Sequence, residues 1–270
     1  MKCFYHKSDL DGHCSGAIVK MRFPECEMIG VDYPDKLDLG NIRGDERVAV
    51  VDFSFSRDEM VALNAKANLF WCDHHKSALE KMEGVVVPGL QEIGKAGCEL
   101  TWGYLHKNEP VPTAVYLLGR YDVWDHEDLD VLPFKYGMRM NENTLPESSI
   151  WEACFYDNDF ILNTLDRGHT ILDYELKQNA LIAKGMSFET TFKGLRAICI
   201  NKPFPNSKVF DSVWDESKHD IMIIFGYKPG SFKYNLYSTK DNVDCSEIAK
   251  LFGGGGHKGA AGFHSDMLLF

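Results

Sequence analysis

Three apolar runs near the start of the chain each lead into acidic residues, and this placement constrains the fold more than any other feature. Cys3–His6 is followed by Asp9 and Asp11, RVAVVDFSF (Arg47–Phe55) carries Asp52, and Ala67–Asp73 closes on Asp73-His74-His75. Glu27–Tyr33 is a further apolar segment. Continuous apolar runs rich in β-branched residues fit strands covered on both faces. Between them lie patterns for crossover helices, Gly12–Arg22 and the stretch RDEMVALNAK, before which Ser56 offers an N-cap. Alternating strands and helices predict a parallel α/β sheet, whose strand C-termini share the edge where such folds seat ligands. A cluster of carboxylates and imidazoles is therefore expected along one edge.

Further along, Lys76–Met82 and Gly97–Leu105 read as helices, while Asn141–Asp166 gives weak signals. A helical pattern over Thr170–Lys184 ends at Gly185, a residue type that commonly closes helices. Beyond it the pattern changes: Leu195–Asn201, Asp220–Tyr227 and Phe232–Ser238 read as strands among turns containing Pro203, Pro205, Pro229 and Gly230, and Ser246–Phe252 as a helix. The expected architecture is α/β in two domains. An N-terminal parallel-sheet domain covers 1–165, a linker helix 166–186 and a smaller C-terminal α/β domain 187–270, with the active site in the cleft between the domains.

The 270 residues carry 29 Lys and Arg against 40 Asp and Glu, a formal charge of −11. That balance argues against a protein that tracks duplex nucleic acid, which needs a net basic surface. Eight cysteines stand singly without a CxxC pair, and His13-Cys14 has no partner pair at zinc spacing. Free, buried thiols in a reducing cytoplasm are expected. The N-terminus lacks an apolar signal core, and no run approaches the ~20 apolar residues of a membrane span, so no membrane partner is expected.

So many neighbouring carboxylates repel one another, and a cation is the simplest compensation. Oxygen and nitrogen donors without a thiolate favour a hard or borderline metal, manganese or magnesium. A bridging Asp52 would hold two ions about 3.5–4 Å apart, an arrangement suited to activating water and stabilising a phosphoryl transition state. The plainer alternative is that each aspartate caps a following helix. Three acidic strand ends in succession favour the metal.

The motifs DLDG (Asp9 to Gly12), the lone Asp52, Asp73-His74-His75 and GGGGHKGAAG (Gly253 to Gly262) together resemble the DHH–DHHA1 phosphoesterase family. In length and motif order the chain is similar to its short, stand-alone oligoribonuclease members of the NrnB/NrnA type. The resemblance implies a first domain holding two manganese ions, with magnesium or cobalt as substitutes, and a second holding the nucleotide. It implies further that His6 and Asp9 ligate one ion, that Asp11, His74 and Asp122 ligate the other, and that Asp52 bridges them. Asp73 would orient a histidine and His75 would face the scissile phosphate. Asp122 in GRYDVWD best matches the fourth motif, with Asp125 as competitor; Asp125, Glu127, Asp128 and Asp130 otherwise read as solvated acids.

Two departures stand out. His6 lies three residues before Asp9 where several relatives have four, and a one-residue shift in a strand reverses the face, so an ordinary strand-end histidine is the alternative. Where NrnA-like members carry an arginine in an LRS stretch, Leu236-Tyr237-Ser238 stands here, which leaves Tyr237, Lys240, Lys258 or aromatic stacking to hold substrate. Gly254, Gly255 and Gly256 before His257 would let backbone N–H groups approach a phosphate without a basic surface. A mobile linker is the alternative reading of such a run.

The implied function is a manganese-dependent phosphodiesterase and exonuclease that hydrolyses short single-stranded oligonucleotides to mononucleotides by two-metal activation of water. Cyclic dinucleotides or their linear products, and phosphoadenosine phosphate, are alternative substrates. A nucleotide-binding regulator is the non-enzymatic alternative, against which the full acidic set counts. The partner is a short oligonucleotide or small nucleotide rather than a duplex, and the sequence leaves a homodimer open.

Overall fold

The early apolar runs form the strands β1 (Lys2–His6), β2 (Glu27–Val31), β3 (Arg47–Val51), β4 (Asn68–Asp73) and β5 (Gly89–Gln91). The computed structural model describes every residue except Pro34, Phe204, Pro205, Asn206 and His257. It divides into two compact units, Met1–Leu172 and Asp173–Phe270. In the first, the five strands run parallel in the order β2-β1-β3-β4-β5. The order reverses between β1 and β3, and at such a switch point a crevice opens at the C-terminal strand ends. Tyr5 pairs with Val51 and Val51 with Cys72, so the next residues, His6, Asp52 and Asp73, stand level along that edge.

Alternation along these strands serves two helical layers. Cys3, Tyr5, Ala49, Val51, Phe70 and Cys72 pack with Val19 of α1 (Leu10–Arg22) and Leu100 of α4 (Gly97–Leu105). Phe4, Val48, Val50, Leu69 and Trp71 pack with Met60 and Leu63 of α2 (Arg57–Lys66) and Ala78 of α3 (Lys76–Lys81). A capping box starts α2, with the Ser56 N–H donating to Glu59 Oε2 at 3.0 Å. α5 (Thr113–Asp122), α6 (Val131–Met138), α7 (Ile150–Tyr156) and the start of α8 (Asn158–Met186) add a further apolar layer around Trp102, Leu118, Phe134 and Trp151.

Three sequence expectations need correction. The strand expected over Arg47–Phe55 ends at Val51 because Asp52 takes a left-handed φ of 51°, which turns the chain so that Phe53 and Phe55 pack beside Phe4. The strand expected to reach Tyr33 ends at Val31. The helix expected over Thr170–Lys184 spans Asn158–Met186, with Gly185 inside it. Its early part packs through small residues: a Cβ at Gly168 would strike the Pro133 carbonyl, and one at Gly137 the Thr164 carbonyl.

The second unit is a mixed sheet of β6 (Ser187–Phe192), β7 (Leu195–Asn201), β8 (Ile221–Lys228), β9 (Ser231–Tyr237), β10 (Gly255–Gly256) and β11 (Ala260–Ser265), in the order β10-β11-β9-β8-β7-β6. β7 and β8 pair in parallel and the other pairs are antiparallel. One face buries Cys199, Ile223 and Phe263 with Ala249 of α9 (Cys245–Lys250), and the other buries Ile198, Ile200 and Ile224 with Ala183, Val209 and Phe210. All eight cysteines are buried and free. Among the described residues no helix is long and apolar enough to cross a membrane.

Candidate metal centre

The β1, β3 and β4 ends and the last residue of α5 converge. His6 Nδ1 lies 2.7 Å from Asp9 Oδ2 and 3.6 Å from Asp52 Oδ2, and His6 Nε2 faces Asp32 Oδ1 at 3.5 Å. His74 Nε2 lies 3.2 Å from Asp52 Oδ1, 3.3 Å from Asp122 Oδ2 and 3.7 Å from Asp11 Oδ2. The two Asp52 oxygens thus face two donor groups, His6 with Asp9 and His74 with Asp11 and Asp122. His75 Nδ1 sits 2.7 Å from Asp73 Oδ1, which also accepts the His74 N–H at 2.8 Å and the His75 N–H at 3.2 Å. All the expected ligands therefore meet in one place. Asp122 reaches it, whereas Asp125 Oδ2 is held by Arg120 at 3.3 Å.

Local chemistry fixes these side chains. Asp9 is the N-cap of α1 and accepts the Gly12 N–H at 2.9 Å through Oδ1, which leaves Oδ2 for His6. Capping and clustering therefore coexist in one carboxylate. Asp11 is 3 % exposed and accepts the Gly97 and Cys98 N–H groups at 2.8 and 2.7 Å, so the start of α4 clamps it. A Cβ at Gly97 would lie 2.5 Å from Asp52 Cβ, so glycine is needed to seat Asp52. Sequence reasoning missed the Gly97–Cys98 clamp and Asp32. AGCE with Glu99 three residues after Ala96 was the available signal of a capped helix start.

Burial disfavours the Asp52 charge, but the facing His6 and His74 hold its carboxyl down at about 2. Burial likewise opposes the imidazolium of His6, yet Asp52 and Asp9 push it up to about 10; Asp73 overcomes the same burial cost at His75 and raises it to about 9. Burial and then Asp52 raise Asp11, and the same two causes bring Asp122 up to about 6. Proton affinity is thus raised across much of the cluster, a situation that a divalent cation relieves.

The donor set fits such cations. His6 Nδ1, His74 Nε2 and Asp52 Oδ1 are buried and lack a partner in hydrogen-bond geometry, although nitrogen and oxygen atoms face each other at 2.7–3.7 Å. Lone pairs aimed at a shared centre produce this pattern, and a divalent cation there would take these atoms as ligands. His6-Asp9-Asp52, Asp52-His74-His75 and Asp11-His74-Asp122 each bring three donor atoms within 4.8 Å of one another.

The residues expected to hold substrate lie in the second unit. Gly255 and Gly256 are exposed and form β10 opposite Gly262 and Ala261. The Gly254 N–H donates to the Ala249 carbonyl at 2.9 Å and is spent on closing α9. A Cβ at Gly254 would lie 2.5 Å from Phe263 Cβ, so that glycine serves the packing of β11. Lys240 Nζ pairs with Asp220 at 2.7 Å, exposed Lys258 lies 3.6 Å from Asp241, and Tyr237 packs partly buried beside Ile198 and Ile224. His257 lies outside the described residues.

No family model matches the chain. It is 27 % identical over 246 residues to an uncharacterized protein of Acanthamoeba polyphaga mimivirus, covering 83 % of this chain and 54 % of that protein, so it spans about half of that relative's length. It is 24 % identical over 295 residues to the oligoribonuclease NrnB of Bacillus subtilis, covering 96 % of this chain and 71 % of that one. Among solved structures, the pGpG-specific phosphodiesterase PggH from Vibrio cholerae matches with a TM-score of 0.59 at 14 % identity, over 97 % of this chain and 92 % of that one. The DHH domain of a member of the s1p family of ribosomal proteins matches with a TM-score of 0.59 at 14 % identity, over 98 % and 82 %. At these identities the structural likeness is one of fold.

Proposed function

Because the chain is by fold a DHH-domain protein, we propose that it is a phosphodiesterase that hydrolyses short single-stranded oligonucleotides to mononucleotides with two manganese ions as cofactor. The observation that carries this reading is Asp52, a buried carboxylate whose two oxygens face two separate donor groups. His6 and Asp9 would hold one ion, Asp11, His74 and Asp122 the other, and Asp52 both. When bound, the ions supply an acidified water and positive charge for the phosphoryl oxygens. The NrnB resemblance supports an oligonucleotide as substrate.

The protein's own groups then divide the work. The α4 start holds Asp11 in place with two N–H donors. Asp32 faces the far nitrogen of His6 and so favours presentation of Nδ1 to the cluster. Asp73 holds His75 through Nδ1, which leaves Nε2 for substrate. At 31 % side-chain exposure His75 is the most accessible of the three imidazoles, against 14 % for His6 and 12 % for His74. In the metal-free protein Asp73 raises His75 to about 9 against the cost of burial. His75 would stand over the scissile phosphate, where water adds to phosphorus, the bond to the ribose oxygen breaks, and a proton released by that water passes to the leaving oxygen. In the second unit Gly255, Gly256, His257 and Lys258 would hold a substrate phosphate, with Tyr237 and Lys240 as further candidates from β9 and the turn after it. Eight unpaired, buried thiols support a reducing cytoplasm as its location.

The test is hydrolysis by the purified protein with Mn²⁺, and with EDTA as control. Labelled di- to decanucleotides, cyclic dinucleotides, phosphoadenosine phosphate and pyrophosphate form the panel. Mononucleotide release from the shortest strands, abolished by EDTA, is expected. Inactivity on every phosphodiester at full metal loading overturns the reading.

A further inference from the structure

At the edge of the parallel sheet opposite the acidic cluster, a cavity of about 560 Å³ opens where β3 and β4 begin, wholly within the first unit. Arg47 and Asn68 open those strands and line it, while Asp52 and Asp73 stand five residues further on, roughly 16 Å away along extended backbone. In a chain of formal charge −11, this wall carries Arg22, Arg47 and Lys107 and no acid. The guanidinium carbons of Arg22 and Arg47 lie 5.9 and 5.0 Å from the centroid of one ring, that of Phe23, and Lys107 Nζ lies 5.5 Å from that of Tyr104. Aromatic faces thus hold the cations in place. Among the described residues no carboxylate pairs with any of the three.

Helix C-termini attract cations, which accounts for Arg22 at the end of α1 and Lys107 just past α4. It does not account for Arg47, which opens a strand and brings a second guanidinium to the same ring. Like charges gathered in this way are relieved by an anion. The remaining wall suits a planar partner, since Phe23, Phe70 and Tyr104 are aromatic. Asn64 and Asn68 donate an amide N–H to the Val86 and Asp45 carbonyls at 3.1 and 2.7 Å, which leaves each Oδ1 to accept from a base amino group or a ribose hydroxyl. An adjoining hollow shares Arg22, Phe23 and Arg47 but adds Glu25 and Asp45, so an anion is confined to the basic side. The volume is that of a small-molecule site. We propose that this cavity is a second nucleotide site, which takes a nucleoside monophosphate with its phosphate between Arg22 and Arg47 and its base along Phe70 and Tyr104. Arginine forks match phosphate oxygens in pairs. The assignment rests on this wall alone and holds whether or not the acidic cluster hydrolyses phosphodiesters.

The test is calorimetric titration of the full chain in EDTA, where the bare carboxylates of the cluster repel phosphate. The probes are adenosine 5′-monophosphate, adenosine, inorganic phosphate and pentaadenylate. The monophosphate should bind with a Kd below ~1 mM. Adenosine and phosphate should each bind at least tenfold more weakly, because each supplies only part of the contacts. Arg22→Gln and Arg47→Gln change exposed side chains and should melt as the wild type does, yet each should weaken the monophosphate at least tenfold. Asp52→Asn, at the other edge of the sheet, should leave that affinity unchanged. No binding of the monophosphate, or binding that neither arginine variant alters, overturns the proposal. Phosphate bound as tightly as the monophosphate, or pentaadenylate bound tenfold more tightly with the same dependence on Arg47, overturns the mononucleotide assignment in favour of a bare anion or a strand.

Discussion

Asp52 combines a positive φ, complete burial and two facing histidines. Asparagine is the informative substitution, because it keeps the shape, tolerates the left-handed backbone and removes the charge. Asp52→Asn should lower kcat by about a thousandfold or more, since activation of water supplies much of the barrier reduction. It should also reduce bound manganese measured by plasma emission, and leave the circular dichroism unchanged. A variant with a tenth of wild-type turnover would show that Asp52 does not bridge. The imidazoles give a second expectation. His6 at about 10 and His75 at about 9 bind protons more tightly in the folded chain than at the unfolded value of about 6.5. Their stabilisation is complete below about pH 6.5 and lost as pH rises through about 9–10. In EDTA the melting temperature should therefore fall between pH 7 and 10, and saturating Mn²⁺ should flatten the fall. A flat profile in EDTA would mean that these rings do not carry charge.

Single elements decide which acid and which glycine matter. α5 ends on Asp122, and the next turn sends Asp125 to Arg120, which Glu99 also holds. Asp122→Asn should cripple turnover at saturating Mn²⁺ and Asp125→Asn should cost little, a ranking that rate measurements can reverse. In the second unit, Gly254 has no room for a Cβ beside Phe263, while Gly255 has nothing within 4 Å of one. Gly254→Ala should destabilise by roughly 1–3 kcal/mol through overpacking. Gly255→Ala should melt as the wild type does, so a rise in KM in that variant would report on phosphate binding, and an unchanged KM would remove Gly255 from it. The longest element, α8, was legible in the sequence over Thr170–Lys184, and its start at Asn158 was not; there Gly137 and Gly168 allow close helix contact.

At the scale of the molecule, a ligand that binds only the folded state stabilises it by mass action, about 2.7 kcal/mol at a hundred times its dissociation constant. The whole acidic cluster lies in Met1–Leu172, so Mn²⁺ should slow amide exchange in β1, β3, β4 and α4 and leave β7, β8 and β9 unaffected. Uniform protection of both units would contradict a site confined to the first. Much of this was readable without a structure. Strand direction and the period of two are local properties, so DLDG, Asp52 and the DHH triplet already placed most donors on one edge of a parallel sheet, and family resemblance supplied Asp122. Local pattern could not tell which distant backbone would press against them. Gly97 and Cys98 clamping Asp11 and Asp32 facing His6 arise from contacts between segments far apart in the chain. Those contacts depend on shape and exclusion, which tertiary packing alone fixes.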